Sequence, residues 1–278
     1  MQKYSVLMSV YIKEEADYFI KSVESMLHQT IKPDEIIIVE DGPLTDDLNK
    51  VIDNYVSSFS NTFTIIKNEK NLGLGLSLQK GIIASRNEFI ARMDTDDISR
   101  NDRCEKQLAI LDSGDVDVVG GNISEFIDSI DNCVGHRVVP TDHRSICEYL
   151  KKRCPFNHMT VMYKKSAVLK AGNYLDLPYN EDYYLWVRMY VSGATFANIN
   201  EDLVDVRTSE DFYKRRGGKQ YFKSEKMVQK YMREKRVISF PRYLYNVLIR
   251  FCAEVMLPNG VRRLLFAKFL RKKEIKHE

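Results

Sequence analysis

The sequence of 278 residues contains only five cysteines, and none of them lies at the paired spacing of a metal site. An odd number of cysteines without such spacing argues against a disulfide framework and against a zinc centre. No apolar run approaches the roughly 18 residues that a membrane-spanning helix requires. A strand-like run begins within the first few residues, where a signal peptide would stand, so we expect a cytoplasmic protein.

Glycine is missing where a dinucleotide-binding protein would need it. Such proteins have a glycine-rich turn directly after the first strand, whereas residues 11–15 read Tyr-Ile-Lys-Glu-Glu here. Residues 71–75, after the third predicted strand, contain two glycines without the remaining spacing of that motif, and a P-loop sequence is absent. The sequence therefore argues against a dinucleotide-dependent oxidoreductase.

The net charge of +3 conceals an uneven distribution of charge along the chain. From Arg236 to the C-terminus there are 10 Lys and Arg residues against 3 Asp and Glu, while the first 235 residues carry 32 against 36. A composition of 44% hydrophobic and 29% charged residues is that of a globular protein. We therefore expect a mildly acidic main domain followed by a strongly basic C-terminal segment.

The first 97 residues alternate short apolar runs with amphipathic segments, a pattern that predicts an α/β fold with a mostly parallel sheet and helices on both faces. The predicted strands are Ser5–Tyr11, Glu35–Val39, Phe63–Ile66 and Phe89–Met93, and the predicted helices are Glu14–Gln29, Thr45–Val56 and Gly75–Ala84. Ligands of such sheets bind beyond the carboxyl ends of the strands. Glu40 and Asp41 follow the second strand, and Asp94, Asp96 and Asp97 follow the fourth, so we expect both clusters to line one crevice.

The second section of the chain predicts further strands and one helix. We predict strands over Val116–Phe126, with a break at Gly120-Gly121, and over Met159–Tyr163, a helix over Tyr179–Tyr190, and a strand pair over Phe196–Val206. The domain prediction is a main domain over residues 1–210, with halves at 1–97 and 98–210, and a basic helical extension over residues 211–278.

Three carboxylates lie within four residues after the fourth predicted strand, at Asp94, Asp96 and Asp97. Like charges at a sheet edge repel one another. A divalent cation removes that repulsion, and carboxylate oxygens suit Mg²⁺ or Mn²⁺. The alternative is that Asp97 and Ser99 only cap a following helix, Asn101–Leu111.

The basic C-terminal segment contains two amphipathic patterns on either side of Pro258-Asn259-Gly260. Interleaved aliphatic, aromatic and basic residues are typical of segments that bind an anionic lipid surface. The alternative is a helix pair that packs on the main domain and leaves a solvated basic face. The aliphatic residues argue against a groove for nucleic acid.

Several motifs together resemble the family 2 glycosyltransferases with the GT-A fold, over about residues 4–210. The motifs are Ser5–Tyr11, Ser22–Gln29, Ile37–Gly42, Asn71–Gly73, Met93–Asp97 and Glu181–Trp186. Each motif is weak by itself, but their order and spacing are specific. The basic tail, Asn157-His158 and Arg215-Arg216-Gly217-Gly218 are similar to bacterial enzymes that build O-antigen or other surface polysaccharide on a lipid carrier.

The resemblance implies inverting transfer of a sugar from a UDP-sugar with Mn²⁺ or Mg²⁺ as cofactor. Asp94 and Asp96 match the Asp-x-Asp motif, in which Asp96 would bind the metal and Asp94 the metal or the ribose. Asp41, with or without Glu40, matches the acid that binds the nucleoside. The remaining nucleotide-sugar residues are expected to be Tyr11, Glu14 and Arg207. The family more often has Asp at the position of Glu40 and Asn soon after Tyr11, where this chain has Ile12 and Lys13.

Asp182 matches the general base of the family, and a carboxylate can take the proton of an attacking sugar hydroxyl. Asn180 or Asp182 could instead be only the cap of the following helix. Acceptor binding is expected at His158, Glu181, Arg215 and Arg216. Several of the assigned residues have a structural alternative. His158 could be a structural histidine, Arg207 could form a surface salt bridge, and Arg215 and Arg216 could lie in a solvated loop. Leu185 and Trp186 are expected in the core.

The resemblance as a whole implies a metal-dependent hexosyltransferase of O-antigen or lipopolysaccharide biosynthesis. Its donor would be UDP-glucose or UDP-galactose and its acceptor a sugar on polyprenyl diphosphate. Such an enzyme would act as a peripheral protein at the anionic cytoplasmic face of the inner membrane, without nucleic acid. The alternative is a non-catalytic membrane-surface protein with the same fold, which would not need Asp96 and Asp182 together.

Overall fold

A nine-stranded sheet forms the centre of the chain in the computed structural model, which describes residues 2–208 and 217–257. The strands are β1 (Tyr4–Val10), β2 (Glu35–Glu40), β3 (Phe63–Lys67), β4 (Phe89–Arg92), β5 (Ile98–Ser99), β6 (Val118–Phe126), β7 (Cys133–Arg137), β8 (Met162–Lys164) and β9 (Phe196–Arg207). The helices are α1 (Ala16–Leu27), α2 (Asp46–Ser58), α3 (Leu74–Ala84), α4 (Arg103–Leu111), α5 (His143–Leu150), α6 (Lys165–Lys170), α7 (Glu181–Val191), α8 (Lys219–Glu234) and α9 (Phe240–Phe251).

The sheet has a parallel first half and a mixed second half. Its order is β3-β2-β1-β4-β8-β6-β9-β5, with β7 paired to β6 outside this path. Strands β1 to β4 pair only in parallel with one another, whereas β8 is antiparallel to both β4 and β6. Two apolar clusters cover opposite faces: Leu7 belongs to one and its neighbours Val6 and Met8 to the other. The predicted α/β fold with helices on both faces is confirmed.

The elements predicted for the first 97 residues all form, with ends that differ by at most two residues. The buried strand β2 shows why, since a continuous Ile-Ile-Ile-Val run suits a strand that is covered on both faces. Helix α2 begins where Thr45 accepts a hydrogen bond on its Oγ1 from the Leu48 amide at 3.3 Å. Local patterns and capping therefore agree with the fold in this half.

The second half corrects three predictions. Strand β6 continues through Gly120-Gly121, where we predicted a break, because the glycines allow neighbours to approach closely: a Cβ on Gly121 would lie 2.5 Å from Cδ1 of Leu203. The predicted strand pair over Phe196–Val206 is one long strand, β9, that follows β6 through a register shift. A 3-10 turn, His158–Thr160, replaces the start of the predicted strand at Met159.

The capping alternative for Asp97 and Ser99 is wrong. Residues 98–99 form strand β5, which pairs antiparallel with β9, and helix α4 begins later, at Arg103. The carboxylate of Asp97 instead accepts a hydrogen bond from the Arg207 amide at 2.9 Å. The acidic cluster is therefore fixed to the end of β9, which brings Arg207 to the same edge of the sheet.

The C-terminal extension contains helices α8 and α9, followed by a π-helical turn, Cys252–Met256. The first amphipathic pattern of the tail corresponds to α9, and the second, after Pro258, lies outside the described residues. Within residues 2–208 and 217–257, no helix is both long enough and apolar enough to cross a membrane.

A glycine turn carries the chain from β2 to the edge where the acids collect. Gly42 has a φ of +92°, and a Cβ on it would lie 2.7 Å from the backbone N of Asn71. Only glycine fits, because the conformation is left-handed and the next segment is in backbone contact. This contact holds residues 70–73 against the end of β2.

Replacing Gly42 by alanine should lower the free energy of unfolding by more than the cost of holding an alanine in the left-handed conformation. The matched control is Gly193→Ala, since Gly193 has a φ of +85° with nothing within 4 Å of the added Cβ. We expect about 1–2 kcal/mol of loss for the control and an additional ~1–3 kcal/mol for Gly42→Ala from overpacking. Urea denaturation measures both, and equal losses would contradict the close contact.

Candidate active site

A cavity of about 380 Å³ opens at the carboxyl ends of the parallel strands. Residues that follow β1, β2, β3 and β4 line it together with the end of β9. The cavity-lining residues that the sequence predicted are Tyr11, Glu14, Asp41, Asp94, Asp96 and Arg207. Tertiary structure thus brings together side chains that lie up to 196 positions apart in sequence, from Tyr11 to Arg207.

Asp41 builds one wall of the cavity through its carboxylate. Its Oδ1 accepts from the Leu72 amide at 2.7 Å and its Oδ2 from the Gly73 amide at 3.0 Å, and Asn68 Nδ2 donates to Oδ1 at 3.2 Å. Glu40 does not line the cavity, because successive side chains of a strand point to opposite sides. It forms an ion pair with Lys67 at 3.1 Å instead. Of this acidic pair, only Asp41 faces the site.

The acidic cluster after β4 carries an excess of negative charge in little space. Asp97 is 2% exposed, and its pKa is raised well above the usual range by burial and by the neighbouring charges of Asp96 and Asp94. Ser22 Oγ donates to the Asp94 carbonyl oxygen at 2.6 Å and so fixes the loop to helix α1. Asp94 and Asp96 remain at the cavity wall. A positive ligand at this wall would reduce the repulsion.

The donor set fits Mg²⁺ or Mn²⁺ held jointly with a ligand. Among the described residues, no group of three or more His, Cys, Asp or Glu side chains forms a ready-made metal site. Mg²⁺ is usually bound by one or two carboxylates together with phosphate oxygens of the substrate. The carboxylates of Asp94 and Asp96 supply that number and that type of ligand at the cavity.

Arg207 brings the positive charge of the site. Its guanidinium lies over the ring of Tyr18, 3.8 Å from the centroid, and 4.7 Å from the centroid of Phe126. Nε also donates to the Asp96 carbonyl oxygen at 3.3 Å. Cation–π contacts and this hydrogen bond hold the guanidinium beside the acidic cluster. An anionic ligand in the cavity would therefore meet a fixed arginine.

Glu181 and Asp182 begin helix α7 on the other side of the first turn of α3. Gly75 makes this approach possible, since a Cβ on it would lie 3.2 Å from Cβ of Glu181. The Tyr183 amide donates to Asp182 Oδ1 at 2.6 Å, and the Cys154 thiol donates to Oδ2 at 3.4 Å. These bonds orient the Asp182 carboxylate and leave it hydrogen-bonded at both oxygens.

Burial changes the protonation of both carboxyl groups of this pair. Desolvation raises the pKa of Glu181 to about 7, with a further contribution from the charge of Asp182. Burial also raises the pKa of Asp182, partly opposed by the Tyr183 and Cys154 hydrogen bonds. A carboxyl group whose pKa approaches neutrality is suited to accept a proton at physiological pH. The side chain of Asn180, at the N-cap position, bonds Ser224 at 3.2 Å instead of capping the helix.

Arg92 connects the acidic cluster with the pair on α7. It is 2% exposed and forms an ion pair with Asp94. Its charge also lowers the pKa values of Glu181 and Asp182. Within the described residues, its Nε and Nη1 atoms have no hydrogen-bond partner. None of the sequence motifs assigns a role to Arg92, although an arginine at the end of an apolar strand is a usable signal of a buried charge.

The other predicted acceptor residues lie apart from the cavity or outside the described chain. His158 forms a 2.7 Å hydrogen bond with the Tyr174 hydroxyl and packs edge-on against Trp186. Burial and the charge of Arg92 lower its pKa well below the usual range, so it is neutral. Leu185 and Trp186 are fully buried, as expected of core residues. Arg215 and Arg216 lie outside the described residues.

Comparisons with known proteins agree with this architecture. A family model described as glycosyl transferase family 2 matches residues 5–171. An uncharacterized glycosyltransferase of Haemophilus influenzae is 38% identical over 97% of this chain and 100% of its own length. A UDP-Gal:alpha-D-GlcNAc-diphosphoundecaprenol beta-1,3-galactosyltransferase of Escherichia coli is 35% identical over 97% of each chain.

Two solved structures show the same fold at low sequence identity. Residues 1–349 of Staphylococcus aureus TarS, in complex with UDP-GlcNAc, match with a TM-score of 0.67 at 15% identity, over 97% of this chain and 76% of that one. The mannosyltransferase PcManGT of Pyrobaculum calidifontis, in complex with GDP-Man and Mn²⁺, matches with a TM-score of 0.58 at 12% identity, over 96% and 79%. The fold is GT-A-like, and with the family match and the two sequence relatives it follows that the chain is a member of glycosyl transferase family 2.

Proposed function

We propose that this glycosyltransferase moves a hexose from a UDP-sugar, with inversion, to a sugar on polyprenyl diphosphate during synthesis of O-antigen or a related surface polysaccharide. The observation that carries the proposal is the separation of two acidic sites. Asp94 and Asp96 line the cavity, whereas Glu181 and Asp182 lie beside it across the first turn of α3. A displacement that inverts configuration needs a donor site and a separate base.

The donor would lie in the cavity, with UDP between Asp41 and the acidic cluster. The loop that Asp41 organises would hold the nucleoside, assisted by Tyr11 and Glu14, which also line the cavity. Asp96 and Asp94 would hold Mn²⁺ or Mg²⁺, which when bound supplies charge neutralisation at the diphosphate. Arg207 would face the same phosphates. The complexes of TarS with UDP-GlcNAc and of PcManGT with GDP-Man and Mn²⁺ support a nucleotide-sugar donor and a divalent metal for this fold.

Asp182 would act as the general base. The acceptor hydroxyl attacks C1 of the sugar and loses its proton to the Asp182 carboxylate. The bond between C1 and the UDP oxygen breaks, and its electron pair leaves with UDP. Attack from the face opposite the leaving group gives inversion. Glu181, with its raised pKa, lies beside Asp182, where it would hydrogen-bond an acceptor hydroxyl and keep the base in position.

The similarity to the E. coli UDP-Gal:alpha-D-GlcNAc-diphosphoundecaprenol beta-1,3-galactosyltransferase favours UDP-galactose over UDP-glucose as donor and a diphosphoundecaprenol-linked sugar as acceptor. Acceptor contacts are proposed for His158, Glu181, Arg215 and Arg216. Since a polyprenyl chain stays in the bilayer, the reaction would take place at the cytoplasmic face of the inner membrane, to which the protein would bind peripherally.

Binding of UDP to the wild-type protein should be enhanced by Mn²⁺, and Asp96→Ala should abolish the enhancement because it removes a metal ligand. Asp115→Ala is the control, since Asp115 is exposed and lies away from the cavity. Titration calorimetry with and without Mn²⁺ measures the difference. If UDP binds in neither condition, the UDP-sugar donor is wrong.

Asp182→Asn should lower turnover by about 10²–10⁴-fold, the usual contribution of a general base, while UDP binding is unchanged. Asp176→Asn, at an exposed position of the preceding loop, should keep wild-type activity. Release of UDP in the presence of a lipid-linked acceptor measures turnover. Full activity of Asp182→Asn would show that Asp182 is not the base, whereas absence of UDP release by the wild-type protein would favour the non-catalytic alternative.

The acidic limb of the turnover rate should lie at higher pH than an ordinary aspartate would give, because burial raises the pKa of Asp182 and the neighbouring Glu181, with a pKa of about 7, is coupled to it. Glu181→Gln removes one negative charge from the pair, so the acidic limb of the profile should move to lower pH. A pH–rate profile of both proteins gives the shift. An unchanged limb would show that Glu181 is not coupled to the base.

A further inference from the structure

Helix α9 packs against the protein with its polar side. Asn246 is 3% exposed and donates through Nδ2 to the Lys151 carbonyl oxygen at 2.9 Å and to Gln229 Oε1 at 2.8 Å. Arg250 donates through Nε to Glu225 Oε2 at 2.8 Å and pairs with it. The contacts that attach α9 to helix α8 and to the end of α5 therefore include hydrogen bonds and one ion pair, and the rings of Phe222 and Phe251 also meet, with centroids 5.4 Å apart.

The opposite side of α9 is apolar and points outward. We call this surface the outer face of α9, formed by Leu244, Tyr245, Leu248 and Ile249, with Phe240 and Phe251 at its edge, where Phe251 also contacts Phe222 of α8. Leu248 is 62% exposed, and Met256 in the following π-helical turn is 65% exposed. An amphipathic helix on a protein surface normally directs its apolar stripe to the core. Here the orientation is inverted, and an exposed apolar surface of this kind marks a binding site.

Basic residues are in excess on the two helices, α8 and α9, that carry the outer face. Over residues 217–257 there are nine Lys and Arg against three Asp and Glu. Lys223, Lys226 and Lys230 are exposed along α8, and the guanidinium of Arg242 lies 5.5 Å from the ring centroid of Tyr245. Aromatic and aliphatic side chains beside exposed cations are the composition of helices that lie in the interface of an anionic bilayer.

Charge argues against two other ways to cover the outer face. Residues 258–278 contain seven Lys and Arg against two Asp and Glu, so this segment would bring further positive charge next to a basic surface. A second copy of the chain would do the same, since it would place one basic α8 near another. An anionic lipid surface is favoured because it supplies both the apolar environment and the opposite charge.

The same helices touch the element that carries the proposed base. Asn180, which precedes Glu181 and Asp182, donates through Nδ2 to Ser224 Oγ of α8 at 3.2 Å. The rings of Tyr179 and Tyr221 also meet, with centroids 5.8 Å apart. The start of α7 is therefore held by the helix pair whose outer face is apolar. This contact places the acceptor side of the site next to the basic surface.

We propose that the outer face of α9 is the membrane-docking surface of the protein, inserted at the headgroup boundary of an anionic bilayer with the basic side of α8 against the lipid phosphates. Docking by this face would hold the start of α7 near the headgroups, where a lipid-linked acceptor presents its sugar. The position of α7 near a lipid-linked acceptor rests on the proposed function, whereas membrane docking by α9 does not.

The test is co-sedimentation of the full-length protein with vesicles of phosphatidylcholine alone or mixed with phosphatidylglycerol. Wild-type protein should bind the anionic vesicles, and Leu248→Glu should weaken binding at least about tenfold, equivalent to ~1.4 kcal/mol. Ile83→Glu is the matched control, because Ile83 on α3 is also 62% exposed but lies outside the helix pair. It should bind as the wild type does. Equal binding of all three proteins would overturn the proposal.

Two further measurements separate the other occupants of the outer face. Sedimentation velocity without lipid would reveal a dimer, and a dimer that Leu248→Glu dissociates would assign the face to a second copy and overturn the proposal. In a protein whose exposed Cys133 and Cys252 are replaced by serine, maleimide labelling of Leu248→Cys should be as fast as that of Ile83→Cys without lipid and should slow when anionic vesicles are added. Slow labelling without lipid would mean that the chain itself covers the face, which also overturns the proposal.

Vesicle binding is measured without donor or acceptor, so its outcome is independent of catalysis. If the protein binds vesicles through α9 but transfers no sugar, the proposed function fails and the docking surface stands. If transfer to a water-soluble acceptor analogue persists in Leu248→Glu while vesicle binding is lost, the enzyme stands and docking is a separate property of the helix pair.

Discussion

The ion pair between Arg92 and Asp94 is the interaction on which the site depends. It places a fully buried guanidinium at the end of β4, between the acidic cluster and the carboxylates that begin α7. Removing the Asp94 carboxylate, which is 30% exposed, would leave the buried charge of Arg92 without its ion-pair partner. Because Asp94, Asp97, Glu181 and Asp182 crowd around one cation, the donor and acceptor sides are electrostatically coupled even though different elements carry them.

Asp41 illustrates how a cavity-lining residue of this fold can also be structural. Its carboxylate lines the cavity, yet two of its hydrogen bonds hold the backbone of residues 72–73, which forms part of the same wall. Gly42 makes the loop fit by leaving room for the backbone of Asn71. A substitution of Asp41 would therefore disturb both the shape of the cavity and its charge, whereas Asp96 and Asp182 are clearer probes of chemistry.

Much of the first half could be predicted from the sequence because each signal there is local. The apolar run of β2 and the Thr45 cap of α2 act within a few residues. The second half was less predictable, since β5 has two residues and exists only through its pairing with β9. Asp97 was open to a capping role for the same reason: its partner, the Arg207 amide, is 110 positions away.

The sequence by itself determined the α/β class, the strand ends at which acids collect, and the family to which their order belongs, because hydrophobic period and motif spacing are properties of neighbouring residues. It also indicated that the tail is amphipathic and basic. Only the tertiary structure decided that Asp41 faces the cavity while Glu40 does not, that Arg92 joins two acidic sites, and that α9 turns its apolar side outward. Which way a side chain points relative to the cavity, and which distant side chains lie near it, depend on packing between distant segments, and no local pattern encodes them.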